Sequence, residues 1–179
     1  MKEEVNVLVY DDRLDGSMPK IAGYYPLRVG EDVGLPGLVG KLSIIAAGLG
    51  KINSLYIMCH GIEDNEVGGY GLLLCKEELT NNTVHMLRPL KGSVTRITLL
   101  ACGAANTAKG NTRADGDGDL FCKRLAKTTG AWVKASTRRQ EYTIFTWKGG
   151  FGNDFGKWEG DCWWFGPEGE KRKADMNSY

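Results

Sequence analysis

The chain has 179 residues with 23 basic and 22 acidic side chains, a formal net charge of +1, which gives no reason to invoke nucleic acid or an anionic membrane surface as a partner. That length suits one domain with a substantial core, and the 25 glycines follow no fixed period, so they read as tight turns rather than collagen or low complexity. No apolar run reaches the roughly 18 residues of a transmembrane helix, and Met1-Lys2-Glu3-Glu4 lacks the features of a signal peptide, which points to a cytoplasmic protein or one exported without a cleaved signal. In chain order, residues 5–10 (Val-Asn-Val-Leu-Val-Tyr) read as a first strand with Asp11-Asp12 at its exit. Residues 13–34 read as a Gly- and Pro-punctuated loop. Leu38, Val39, Leu42, Ile45, Ala46 and Leu49 keep helical spacing, predicting a helix over 37–49 that Gly50 can stop. A second strand is expected over 54–59, then an acidic Gly-rich loop over 62–71 and a short extended piece over 72–75. Asn81 or Asn82 can cap a short helix through Leu87, ended by Pro89. A third strand is expected over 96–101, a second helix over 117–129 ended by Gly130, and a fourth strand over 132–135. Strands alternating with helices imply a mainly parallel sheet. Further strands are expected over 142–147 and 162–165, separated by a Gly- and aromatic-rich turn region. Residues 1–167 thus read as one α/β domain with a β-rich C-terminal extension, followed by a charged, mobile tail over 168–179.

Two of these strands end abruptly at a reactive side chain followed by glycine. Leu55-Tyr-Ile-Met-Cys-His60-Gly61 carries one of the two histidines; Arg96-Ile-Thr-Leu-Leu-Ala-Cys102-Gly103 ends in a cysteine 42 residues later. That separation is ample for a crossover between neighbouring parallel strands. His60 and Cys102 would then emerge together at the sheet edge where open α/β sheets carry their sites, as a nucleophile with its base. An imidazole beside a thiol favours the attacking thiolate. The backbone amides of Gly61 and Cys102 lie where an oxyanion would form.

The other four cysteines sit in apolar contexts and read as core. Cys59 in particular should face away from His60, since side chains alternate along a strand. With five cysteines and no signal peptide, the thiols read as reduced. No Cys/His spacing matches a zinc site. His85 has no identifiable chemical partner in the sequence. Asp115-Gly-Asp117-Gly-Asp119 alternates oxygen donors with glycine, as calcium loops do, but lacks the closing Glu of a complete loop; the position is Ala126. The favoured alternative is that these aspartates cap and stabilise a helix N-terminus.

The strand-terminal His60-Gly61 and Ala101-Cys102 pairs resemble those of the caspase-like cysteine peptidases, the group of caspases, gingipains, clostripain and legumain. The stretch 99–137, together with Trp158-Glu-Gly160 leading into Trp163-Trp164-Phe165, looks most like small bacterial caspase-like domains attached to large surface or repeat proteins. The similarity spans roughly residues 50–167. It implies an α/β/α sandwich and a cysteine endopeptidase acting on polypeptide with a His60–Cys102 dyad and no required cofactor, although some relatives use calcium. It also places the pocket for the P1 side chain at Asp11 to Arg13, at Leu100-Ala101 and at Ser136 to Arg139. Basic-specific relatives carry an acid where this chain has Leu100, while Arg138 and Arg139 follow Ser136-Thr137 where acid-specific relatives place an arginine. An acidic P1 residue is therefore expected, with Asp11 or Asp12 as the competing candidates for holding a basic one. Two other functions fit the sequence: a non-catalytic caspase-like interaction module, and a calcium-responsive binding domain.

Overall fold

The computed structural model describes residues 4–64, 68–111, 116–140, 143–147, 150–154 and 158–175. Its centre is a seven-stranded sheet. The first strand, β1 (Val5–Asp11), lies between β2 (Tyr24–Val29) and β3 (Ile52–Met58); beyond β3 come β7 (Val94–Leu100), β8 (Trp132–Ser136), β11 (Cys162–Phe165) and β12 (Lys171–Lys173). The five strands from β2 to β8 are parallel, and β11 and β12 add antiparallel pairings at one end. A three-stranded antiparallel sheet, β4 (His60–Asp64), β5 (Gly68–Leu73) and β6 (Leu79–Thr80), grows from the end of β3. β9 (Thr143–Trp147) and β10 (Gly150–Asp154) form a further antiparallel pair.

The four expected core strands and both helices are present. Helix α1 (Leu35–Gly48) starts two residues before the expected boundary. Pro36 is tolerated in its first turn, where no intrahelical N–H bond is lost, and the Glu77 carboxylate accepts the Leu35 N–H at 2.6 Å from far along the chain. Leu35, Leu38, Val39, Leu42 and Ile45 form its buried stripe. Helix α2 (Gly118–Thr129) is capped by Asp117, whose side chain accepts the Leu120 N–H at 2.9 Å, and ends at Gly130 with φ +68°. The expected short helix is a 3-10 helix, Val84–Leu90, that includes Pro89.

Four expectations are corrected. Residues 24–29, read as loop, form edge strand β2; Pro26 has no donor for a ladder, which an edge position tolerates. Within the expected 62–71 loop, residues 62–64 and 68–71 belong to the antiparallel strands β4 and β5, where Gly69 and Gly71 stand at close backbone approaches. Residues 151–154, the start of the expected 151–161 turn region, belong to strand β10. The start of the expected tail is structured: β12 pairs with β11, and Ala174 is buried. Residues 176–179 lie outside the described residues.

Alternation along the strands sends side chains to two cores. Val7, Val9, Leu55, Ile57, Ile97, Leu99 and Val133 pack under α1, the 3-10 helix, α2 and the β5–β6 segment. Leu8, Tyr10, Tyr56, Met58 and Leu100 face the other way and are covered by Leu14, Met18, Ile21, Trp158 and Ala174. Among the described residues the helices pack on the first face, and loop and C-terminal residues cover the second. The β1–β2 connection on the second face contains Gly16, Pro19 and Gly23 and has no apolar helical period. Lys134 is buried on this second face, its amine 4.8 Å from the Trp158 ring centre and donating to the Asp175 carbonyl at 2.9 Å. No helix among the described residues is long and apolar enough to cross a membrane.

Candidate active site

β3 and β7 are parallel neighbours with Met58 opposite Leu100. His60 and Cys102 each stand two residues further on, so the same edge of the sheet delivers both. The Cys59 N–H reaches the Leu100 carbonyl at 3.4 Å and carries the pairing one step past the strands. Cys59 belongs to the helix-side core with Ile57, while Met58 and Leu100 belong to the opposite core. Cys59 thus lies on the side away from Met58 and within the core. Gly61 fixes how close the two strand exits come. A Cβ built there would stand 1.8 Å from the Cys102 carbonyl oxygen, and one at Gly69 would stand 2.0 Å from that of Gly103. Only glycine at these positions lets the β4–β5 hairpin lie directly on the loop that carries Cys102.

β1 connects to β2 on one side while β3 leads away toward β7 on the other. Their exits diverge there, the arrangement of a topological switch point. His60 links the two exits: its Nε2 lies 3.2 Å from the Arg13 carbonyl oxygen. A carbonyl only accepts, so in this bond Nε2 carries the hydrogen and Nδ1 is the nitrogen left to exchange a proton. The half-buried imidazole is thus held in one tautomer by the loop after β1.

The same loop accounts for Asp11. Its fully buried carboxylate accepts from Arg13 Nε at 2.8 Å, Arg13 Nη2 at 2.8 Å, the Arg13 N–H at 3.1 Å and the Cys75 N–H at 3.0 Å. Burial pushes this carboxyl up, but the Arg13 side-chain bonds, the two backbone N–H donors and the guanidinium charge outweigh it and hold it below the usual carboxylate range. Arg13 Nη2 also donates to the Cys75 carbonyl at 3.1 Å. Cys75 has φ +60°, a left-handed backbone uncommon outside glycine. Asp12 is exposed and paired with Arg28 at 2.7 Å. Both candidate acids of a basic P1 pocket are therefore engaged with arginines of this chain.

Cys102 is half-buried; Cys59, Cys75, Cys122 and Cys162 are buried. Burial raises the thiol pKa of Cys75 to about 12 and of Cys162 to about 11, and those of Cys59 and Cys122 well above the ordinary value. The Cys102 sulfur instead meets the backbone of Gln140: it accepts from the N–H at 3.4 Å and donates to the carbonyl at 3.4 Å. Gln140, absent from the sequence-based candidates, is buried and clasps the loop after β8. Its Nε2 donates to Ser136 Oγ, the Arg138 carbonyl and the Glu159 carbonyl, each at 2.9 Å, and its Oε1 accepts the Glu159 N–H at 3.0 Å. Ser136 Oγ also donates to the Glu159 carbonyl and accepts the Arg138 N–H. The loop is tied to the cysteine side by Gly103 N–H to Arg138 O at 2.9 Å. Ser136 is thus buried in a clasp, whereas Arg138 and Arg139 stand exposed at the rim.

The aspartate run divides. Asp115 lies outside the described residues. Asp117 accepts from Thr107 Oγ1 and caps α2. Asp119 pairs with Lys123 and Lys171; burial raises its carboxyl, and the two lysines outweigh that and bring it below the usual range. No group of metal-ligating side chains occurs among the described residues. His85 is exposed, with Nδ1 2.8 Å from the Asn82 carbonyl oxygen. Comparison with family models, with curated proteins and with solved structures gives no match.

Proposed function

We propose that the chain is a cysteine endopeptidase of the caspase-like kind. The observation that carries this reading is the emergence of His60 and Cys102 from paired parallel strands in register, with Gly61 packed on the Cys102 backbone. The Cys102 sulfur attacks the scissile carbonyl carbon, and its proton passes to Nδ1 of His60. The Gly61 and Cys102 amides stabilise the resulting oxyanion. The imidazolium then protonates the leaving amine, and the thioester is hydrolysed by water that His60 deprotonates. No cofactor is needed for these steps. Asp11 and Asp12 are neutralised by Arg13 and Arg28, whereas Arg138 and Arg139 are exposed cations on the loop that Gly103 binds beside Cys102. An arginine can hold a carboxylate through two parallel hydrogen bonds, which supports a polypeptide substrate with an acidic P1 side chain.

A second reading has its own observation. The Gln140 peptide lies against the Cys102 sulfur, as it would in an interaction module that makes no use of the thiol. Peptidyl chloromethyl ketones with Asp, Arg or Leu at P1 separate the two. The peptidase reading expects the Asp probe to alkylate Cys102 fastest, with labelling lost in His60→Ala and hydrolysis of a matching fluorogenic peptide. No labelling by any of the three and no hydrolysis would leave the interaction module. Preference for the Arg probe, lost on Asp11→Ala or Asp12→Ala but kept in Arg138→Ala and Arg139→Ala, would reject the acidic P1 pocket alone.

A further inference from the structure

We infer that Asp11 is the positioning residue of His60, acting through the backbone of Arg13; this rests on the peptidase reading only in making His60 the base. The Arg13 carbonyl is the group that selects the His60 tautomer, and a backbone carbonyl is only as well placed as the peptide that bears it. Just past β1 that peptide is held by a single backbone turn bond, from the Leu14 N–H to the Asp11 carbonyl at 3.1 Å. The Asp11 side chain reinforces that turn from the other flank of Arg13. It binds the Arg13 N–H two residues along the chain and closes a short side-chain-to-backbone turn. It also receives the guanidinium through a two-pronged fork, so both ends of Arg13 are fixed by one carboxylate.

The far side of the fork is anchored on a different part of the fold. Asp11 accepts the Cys75 N–H and Arg13 donates to the Cys75 carbonyl, so the two bracket one residue just beyond β5. That residue is held at φ +60°, a conformation that persists only where its surroundings over-determine it. β5 pairs directly with β4, with Leu73 opposite His60. His60 is therefore approached from two sides by the same ion pair: through the Arg13 carbonyl on its ring, and through the Cys75–β5 segment beside its backbone. The carboxylate's hydrogen bonds go to Arg13 and Cys75, and its influence on the ring is geometric. It keeps the carbonyl within hydrogen-bond reach of Nε2, and so keeps Nδ1 as the proton-accepting nitrogen.

The test reads the tautomer directly. Full-length protein labelled with 15N in its histidines is compared as wild type, Asp11→Asn and Arg13→Lys by two-dimensional NMR of the imidazole nitrogens at a pH where His60 is neutral. Arg13→Lys keeps the carbonyl and the positive charge but loses the planar fork, and serves if Asp11→Asn does not fold. Wild-type His60 is expected as the Nε2–H form. In a folded variant, the Nε2 and Nδ1 shifts should move toward each other as the second tautomer becomes populated, while exposed His85 stays unchanged. With a cleavable peptide, kcat should fall about tenfold to a hundredfold with KM within about twofold, the signature of a displaced catalytic group rather than a lost substrate contact. Unchanged His60 shifts in a folded variant would overturn the positioning role whether or not the protein hydrolyses peptides. An inactive wild type whose tautomer still responds to the variants would reject the peptidase reading and uphold the positioning role.

Discussion

Among the five cysteines, only Cys102 combines partial exposure with a place beside a histidine-bearing strand exit. Near neutral pH it should react with iodoacetamide faster than the four thiols whose pKa burial has raised, and His60→Ala should slow it; mass-spectrometric mapping of the alkylated peptides reads both. Equal rates at Cys102 and Cys75 would count against an activated nucleophile. Asp11 carries a second prediction. Its carboxyl is depressed in the fold, so its ion pair contributes stability above the ordinary carboxylate range, and that contribution is lost as pH falls through the folded value. Thermal melts from neutral pH downward should therefore show a shallower acid decline in Asp11→Asn than in the wild type. His60 and Cys102 were legible in the sequence because each stops a β-rich run before glycine. Arg13 and Gln140 were not legible in their roles. Each acts on the pair through main-chain atoms, and a carbonyl or N–H has the same chemistry whatever side chain it accompanies.

The elements around the pair are held by contacts with little tolerance for change. Gly61→Ala puts a methyl into the Cys102 carbonyl, so β4 or the Cys102 loop must move. A cost of about 3 kcal/mol is expected, or a Tm lower by roughly 6–12 °C, with alkylation of Cys102 altered in the same variant. A Tm within a degree of wild type would mean that the two loops do not touch as described. Gln140→Ala removes the clasp between the loop after β8 and Glu159. It should cost about 2 kcal/mol and raise the iodoacetamide rate at Cys102 by freeing the peptide that lies on its sulfur. Helix α2 gives a contrasting case, because its start was readable from Asp117 followed by the apolar run. Since Asp117 caps and Asp119 is paired with lysines, Asp117→Ala should lower Tm by roughly 2–4 °C with and without millimolar calcium. A large calcium-induced rise in Tm that this substitution abolishes would make the aspartates a metal site instead. The β4–β5 hairpin was hidden for the opposite reason. Gly69 and Gly71 look like loop residues in sequence, and their function, admitting a neighbouring backbone, is visible only when the neighbour is in place.

On the scale of the whole molecule, the alternation of β-rich and helical segments carried the parallel centre of the sheet, while both of its margins escaped it. β2 was obscured by Pro26, and β12 by a sequence, Lys171-Arg-Lys173, that reads as solvated tail. The latter strand has a consequence for solution behaviour. It lays three cations along the outer rim of the sheet, with Lys171 over the Trp163 ring at 4.7 Å and Arg172 over the Trp132 ring at 4.3 Å. Charged rims discourage sheets from joining end to end. A chain ended at Pro167 would present β11 as a raw edge, with Trp163 and Trp164 beside an open row of N–H and C=O groups. Such a truncation should remain folded at low concentration yet self-associate as concentration rises, seen as growing light scattering and thioflavin-positive material that the full chain does not form. The charged segment would then be a colloidal safeguard, keeping each sheet from becoming a template for the next.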